Sequence, residues 1–334
     1  MVGQDETIGN EGSKILAERF DAFLLDLDGV VYLGDEPLPG SREALARLRE
    51  AGKKLRFLTN DPRPTREQLR RQLAGMDVEA WRKEVITSGW ATARYLAQES
   101  ISSAYVIGSR GLASEIEAAG VEVVDRGPCD AVVVGSDEHV SYSHLRQASR
   151  HIFGGARFVA TNADAAFPSP KGPLPGTGAI VAAIGTTTGR EPVVIGKPSA
   201  AMFDVALEGL GAERGRTVMV GDTPDSDIAG ARRAGIASVL VRRKVGQIDP
   251  AGERAAADAV VSDLSDLFVS GTVAREAGML GRNGCLYDEA HVRPPLRRIS
   301  EAERENIRRV VTEAGLPRGE QSGAAAGGPA GTAS

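Results

Sequence analysis

Cysteine is almost absent: the 334 residues include only Cys129 and Cys285, far apart and without partners at metal-ligand spacing. That excludes a disulfide framework and a thiolate zinc site. Histidine is equally thin, and His139, His144, His151 and His291 are scattered without a metal pattern. Aromatic residues make up 4%, so a core has to be assembled from Leu, Val, Ile and Ala, for which 42% hydrophobic residues suffice. No apolar run approaches membrane-spanning length, and the opening M-V-G-Q-D-E-T-I-G-N-E-G-S-K lacks the charged-then-apolar order of a secretory signal. A cytoplasmic location is therefore expected. A net charge of −5 argues against a nucleic acid or a membrane surface as partner. No G-x-G-x-x-G follows the first apolar strand, which removes the main argument for a dinucleotide-binding oxidoreductase.

What is present is a set of acidic and phosphate-suited residues at strand ends. The run F-L-L-D-L-D-G-V-V-Y-L-G from Phe23 to Gly34 carries Asp26 and Asp28 two residues apart, and strand periodicity starts both toward one side before Gly29 turns the chain. A charged pair beside an apolar run calls for a compensating cation, most naturally a divalent metal. Taken alone, D-x-D-G also fits a calcium loop or a plain turn. A second strand, K-L-R-F-L-T, ends on Thr59 and Asn60, where a hydroxyl and a backbone N–H can face a phosphate. Val193–Ile195 runs into Gly196-Lys197-Pro198, which permits close approach and supplies one compact positive charge. Thr217–Val220 runs into G-D-T-P-D-S-D, placing Asp222, Asp225 and Asp227 at another strand tip. Singly these are an ordinary strand end, a solvated lysine and an aspartate helix cap. In this order, each after an apolar strand and ahead of a helix, they point to phosphoryl-transfer chemistry.

The set resembles the haloacid dehalogenase superfamily of aspartate-nucleophile phosphatases. Its class IIA branch, the NagD, 4-nitrophenylphosphatase and pyridoxal phosphatase type, is matched further by D-G-V-V-Y-L-G-D-E-P-L-P-G, T-S-G-W-A-T-A-R-Y-L, A-T-N-A-D-A-A-F-P, L-P-G-T-G and V-G-D-T-P-D-S-D-I-A-G. The likeness covers roughly Phe20 to Val269. It implies a Mg²⁺-dependent phosphomonoesterase acting on a small phosphorylated metabolite. Asp26 would be the nucleophile, forming an aspartyl-phosphate, and Asp28 the general acid and then base. Thr59, Asn60 through its backbone, and Lys197 would hold the phosphoryl group. Mg²⁺ would be bound by Asp26, the backbone carbonyl of Asp28 and Asp222, with Asp227 orienting a metal-bound water or Lys197 from behind. Many members carry a second asparagine after the threonine-asparagine pair, whereas this chain has Asp61-Pro62-Arg63, adding a negative charge that Arg63 is placed to offset. The runner-up, a catalytically silent metabolite-binding or regulatory protein on the same scaffold, would be expected to have lost one of these groups, and none is lost.

Short apolar strands alternating with amphipathic helices predict an α/β fold: a Rossmann-like parallel core sheet with a large inserted α/β cap. The core is expected at 20–88 and 191–269 and the cap at 89–190, with strands near Ala104–Ile107, Ala131–Val134 and Arg157–Ala160. The stretch Asn162–Gly178 is the expected surface for the leaving group. Ser41 is expected to cap the helix that follows the first motif. Arg63, Arg66, Arg70 and Arg71, around a capping box at Thr65–Gln68, read as a solvated helix face. Residues 1–19 are expected to be flexible, 270–317 to form an extension with a helix, and 318–334 to be a disordered tail. Val292–Leu316 looks similar to the closing part of dihydrodipicolinate synthase-type proteins, whose barrel is missing, so no activity follows from it. Oligomeric state is not legible, and a homo-oligomer is left open.

Overall fold

The computed structural model describes residues 15–167, 172–242 and 257–269. The expectations for the first fourteen residues, for 270–317 and for 318–334 lie outside the described residues. Helix α1 (Leu16–Arg19) leads into β1 (Ala22–Asp26), a short hairpin of β2 (Tyr32–Leu33) and β3 (Glu36–Pro37), then α2 (Ser41–Glu50), β4 (Lys54–Thr59), α3 (Arg66–Gly75) and β5 (Val85–Thr87). Next come α4 (Ser88–Gln98), β6 (Ser103–Ile107), α5 (Arg110–Ala118), β7 (Glu122–Val123), β8 (Ala131–Val134), α6 (Tyr142–Phe153) and β9 (Arg157–Ala160). A hairpin of β10 (Ala166–Phe167) and β11 (Leu174–Pro175) precedes α7 (Thr177–Thr188) and β12 (Val193–Val194). The chain then passes through α8 (Ala200–Leu207), β13 (Thr217–Gly221), α9 (Ala229–Ala234), β14 (Ala237–Val241) and β15 (Ala259–Val261).

Strand β1 is buried along its whole length, as the unbroken apolar run A-F-L-L requires of a strand with neighbours on both edges and layers on both faces. It lies parallel between β13 and β4, with Leu25 opposite Val220 and Asp26 opposite Leu58. The six-stranded sheet runs β15-β14-β13-β1-β4-β5. From β1 the chain steps outward to β4 and β5, then returns on the other side as β13, β14 and β15. The reversal falls between β1 and β13, where the flanking connections diverge and open a crevice beyond the strand ends.

The second sheet, β12-β9-β8-β6-β7, is parallel throughout. Because strand side chains alternate between faces, Tyr105, Ile107, Val132 and Val134 pack with Ile152, Ile180 and Ile184 of α6 and α7. The opposite face, carrying Ala104, Ala131, Val133 and Val159, shares one apolar cluster with Ala22, Leu24 and Leu58 of the first sheet. Leu96, Leu112, Met202 and Phe203 fill the space between, so the two sheets are joined by core packing. No helix among the described residues is long and apolar enough to cross a membrane.

Three local expectations change. Strand β12, expected with the core, pairs instead with β9 at the edge of the second sheet, Val193 opposite Val159 and Val194 opposite Ala160. Helix α2 is entered through Gly40 at φ 75°, which leaves Ser41 as its first residue, buried and with its hydroxyl unpartnered. Arg66 is not solvated. The capping box at Thr65 forms, but the helix turns Arg66 inward, where its guanidinium lies 3.3 Å above the Trp90 ring. Arg66 Nε faces Glu115 Oε2 at 3.4 Å, and its backbone N–H donates to Glu115 Oε1 at 2.7 Å. A carboxylate of α5 thus satisfies the N-terminus of α3 and ties the two sheets together. Arg70 and Arg71 do remain on the surface, paired with Glu67.

Glu115→Ala leaves a buried guanidinium and a helix N–H without their partner. The expected loss is about 3 kcal/mol, read as a lower midpoint in equilibrium urea unfolding. An unchanged midpoint would mean that this pair does not join the sheets.

Candidate active site

The site is assembled where β1, β4 and β13 end. Beyond Asp26 the chain winds one tight turn, the Leu27 carbonyl accepting from the N–H groups of Val31 and Tyr32 at 2.9 and 3.1 Å. Gly29 sits in this turn at φ 90° and donates its N–H to the Tyr32 carbonyl at 2.7 Å. Asp26 is buried while Asp28 is exposed at the mouth of a cleft of about 1260 Å³. Tyr32 lines the same cleft, its phenol held above its usual range by burial and by the carboxylates of Asp28 and Asp26.

At the end of β13 the backbone passes through Asp222 and a single wide turn, Pro224–Ile228, into α9. That turn folds the Asp227 side chain back under the strand end, where its Oδ2 accepts from the Thr223 N–H at 3.0 Å. Gly221 is required by this approach, since a Cβ there would collide with the Asp227 carboxylate. Lys197 Nζ donates to Asp227 Oδ1 at 2.7 Å and to Asp26 Oδ1 at 2.5 Å, with all three side chains largely removed from solvent. Asp227 therefore touches Lys197 directly.

Burial raises the Asp26 carboxyl above the ordinary range, against the opposing pull of Lys197. Burial alone would lower Lys197, but the charges of Asp227 and Asp26 hold its ammonium above its usual value. Carboxylate oxygens of Asp26, Asp222 and Asp227 all lie within 4.8 Å of one another. Among the described residues Lys197 brings one ammonium to these three groups, and their donors are hard oxygens, a combination that fits a small divalent cation.

Thr59 ends β4, and its hydroxyl accepts from the Asp61 N–H at 3.1 Å. Asn60 proves to be a hub. Its Oδ1 accepts from the Lys197 N–H at 2.8 Å, and its Nδ2 donates to the Lys197 carbonyl at 3.0 Å and to Asp164 at 3.1 Å. Its own carbonyl accepts from Ser88 at 2.6 Å and Asn162 at 2.8 Å. The Asn60 side chain is committed to placing Lys197, so a phosphate contact there falls to the backbone. Gly196 makes room for this clamp, because a Cβ would strike Asn60 and the Thr161 carbonyl.

Asp26, Asp28, Thr59, Asn60, Lys197 and Asp222 all line the one cleft, with Asp227 buried behind Lys197, and Asp225 lies at its rim. The stretch Asn162–Gly178 contributes Asn162, Asp164, Phe167 and Thr177 to the opposite wall. Asn162 and Asp164 were not singled out from the sequence, although A-T-N-A-D lies inside a recognised fragment, because their partner Asn60 is about a hundred residues away. Arg63 does offset Asp61: Nε and Nη2 meet its carboxylate at 2.8 and 2.9 Å.

A parallel sheet with acidic side chains and a bridging lysine at its switch point is the arrangement of an α/β protein with a site at its strand ends. Residues 23–122 match the family model for haloacid dehalogenase-like hydrolases, and 194–267 match a second, HAD-hydrolase-like model. An acid sugar phosphatase of Staphylococcus haemolyticus is 35% identical over 229 residues, 68% of this chain and 87% of that protein. A p-nitrophenyl phosphatase from Archaeoglobus fulgidus superposes with a TM-score of 0.71 at 34% identity, covering 75% of this chain and 98% of that one. A glycerol phosphate phosphatase from Mycobacterium tuberculosis, solved in complex with magnesium, gives a TM-score of 0.71 at 31% identity over 77% and 79% of the two chains. The chain belongs to the haloacid dehalogenase-like hydrolase family.

Asn60→Ala removes the clamp on Lys197 and the tie to Asp164. The expected cost is about 2 kcal/mol in calorimetric unfolding, since it strands the Lys197 N–H and carbonyl. A loss below a few tenths of a kcal/mol would show that Lys197 is placed by other contacts.

Proposed function

We propose that this protein is a Mg²⁺-dependent phosphomonoesterase that hydrolyses a small phosphorylated metabolite through an aspartyl-phosphate on Asp26. The observation that carries the reading is the Asp26–Lys197–Asp227 bridge, which fixes a buried carboxylate at the end of β1 facing a cleft. The activities of the relatives and the intact set Asp26, Asp28, Thr59, Lys197 and Asp222 support it.

In the first step an Asp26 oxygen forms a bond to phosphorus in line with the leaving oxygen, whose bond to phosphorus breaks while Asp28 gives it a proton. In the second, Asp28 takes a proton from water as that water bonds to phosphorus, releasing inorganic phosphate and restoring the Asp26 carboxylate. The Thr59 hydroxyl, the Asn60 backbone N–H and the Lys197 ammonium hold the phosphoryl oxygens through both steps. Asp227 keeps Lys197 charged and aimed. Asp26, the Asp28 backbone carbonyl and Asp222 would hold Mg²⁺, which when bound would supply positive charge that eases the approach of one anion to another. Asp28 is exposed at the cleft mouth, where it can reach both an alcohol and a water. A small-molecule partner, with no nucleic acid or membrane partner, accords with the net charge of −5, and a cytoplasmic setting with the polar opening of the sequence.

Phosphate release from phosphorylated metabolites and 4-nitrophenyl phosphate is expected only with Mg²⁺, to stop on chelation, and to fall by roughly 10⁴-fold or more in Asp26→Asn. Equal inactivity of the native protein and the variant across the panel would contradict the reading.

A further inference from the structure

The leaving-group end of the cleft holds an ion pair formed within one turn. Asp61 Oδ1 accepts from the Arg63 backbone N–H at 2.9 Å, and the same carboxylate is met by Nε and Nη2 of the Arg63 guanidinium. The remaining nitrogen, Nη1, faces Glu138 at 3.8 Å, and the guanidinium lies 4.9 Å from the centre of the Phe167 ring on β10. Each nitrogen of Arg63 is thus turned toward a carboxylate. Apart from Lys197, Arg63 is the only cation lining the cleft among the described residues, whereas Asp61, Asp164 and Asp225 line it too.

We infer that Asp61 is a specificity-determining residue: by neutralising Arg63 it selects phosphomonoesters of uncharged, hydroxyl-bearing alcohols and turns away those carrying a second anionic group. The inference rests on the phosphatase reading and names the substrate class for the same site. Among the described residues, a carboxylate or second phosphate on the leaving group meets like charges and an Arg63 already paired with Asp61, and repulsion of that kind is an effective source of discrimination. Hydroxyl groups, by contrast, find acceptor-only carboxylates in Asp61 and Asp164. A guanidinium released from Asp61 would present a planar fork matched to a carboxylate, so the residue at 61 sets which leaving group is welcome.

Asp61→Asn is the informative change. The amide oxygen still accepts from the Arg63 N–H and keeps the turn, while the charge is gone. The measurement is kcat/KM with Mg²⁺ for glycerol 3-phosphate, whose leaving alcohol is neutral, against phosphoglycolate, whose leaving alcohol carries a carboxylate, with 4-nitrophenyl phosphate as a third substrate. The native protein is expected to prefer glycerol 3-phosphate. Asp61→Asn is expected to move the ratio toward phosphoglycolate by about tenfold, which corresponds to about 1.4 kcal/mol. The double variant Asp61→Asn with Arg63→Gln is expected to move it back, since the freed cation is then absent. Asp61→Ser, whose hydroxyl can also accept from the Arg63 N–H, repeats the test should the asparagine variant not fold. An unchanged ratio alongside native turnover of 4-nitrophenyl phosphate overturns this inference and leaves the phosphatase reading standing. A native protein inactive on all three substrates overturns both.

Discussion

One ammonium group, Lys197 Nζ, stands 2.5 Å from Asp26 and 2.7 Å from Asp227 in a pocket that excludes most water. Removing either kind of partner from such a pair leaves a buried charge uncompensated, a change that typically costs about 3–5 kcal/mol. The surrounding structure is arranged to keep the three groups in register. Asp26 is fixed by a strand paired on both edges, Asp227 by a wide turn that only a glycine at 221 permits, and Lys197 by the Asn60 clamp on its own backbone. Asp222 brings a further carboxylate oxygen within 4.8 Å of those of Asp26 and Asp227, and a hard-oxygen cluster of this kind suits a divalent ion.

Because Lys197 follows a strand of the second sheet, the bridge spans both sheets of the protein. The shared apolar cluster and the Arg66–Glu115 pair join the same two layers elsewhere. The second sheet is therefore part of the site's frame as well as its roof. Its wall brings Asn162 and Asp164 to Asn60, so that side of the cleft is connected through one asparagine to the lysine that holds Asp26. Under the proposed function, chemistry and recognition would then be built on neighbouring residues of one loop, Thr59 and Asn60 serving the phosphoryl group and Asp61 and Arg63 the leaving group.

The parallel fold and the strand-tip residues were legible because local rules dictate them. Unbroken apolar runs such as Phe23–Leu25 and Val218–Val220 specify strands buried on both faces, and the acidic residue that ends or follows each run emerges at the carboxyl end of its strand. The capping box at Thr65 was legible for the same reason. What escaped depends on distant partners. Sheet membership of Val193–Val194 is set by pairing with Val159–Ala160 more than thirty residues earlier, and the burial of Arg66 by Trp90 and Glu115. The Asn60 hub exists only once Lys197 and Asp164 have been brought to it. Ser41 was misplaced by one residue because Gly40 could enter the helix from the left-handed region.

The account turns on Asp26 becoming covalently phosphorylated, and the most direct measurement uses the Asp28→Asn variant with phosphorus-labelled 4-nitrophenyl phosphate, a leaving group that needs little protonation. With the second step impaired, the account predicts a burst of about one 4-nitrophenolate per protein and an acid-stable, hydroxylamine-sensitive label on the peptide containing Asp26. Sustained turnover without a burst, or label on any other residue, would contradict it.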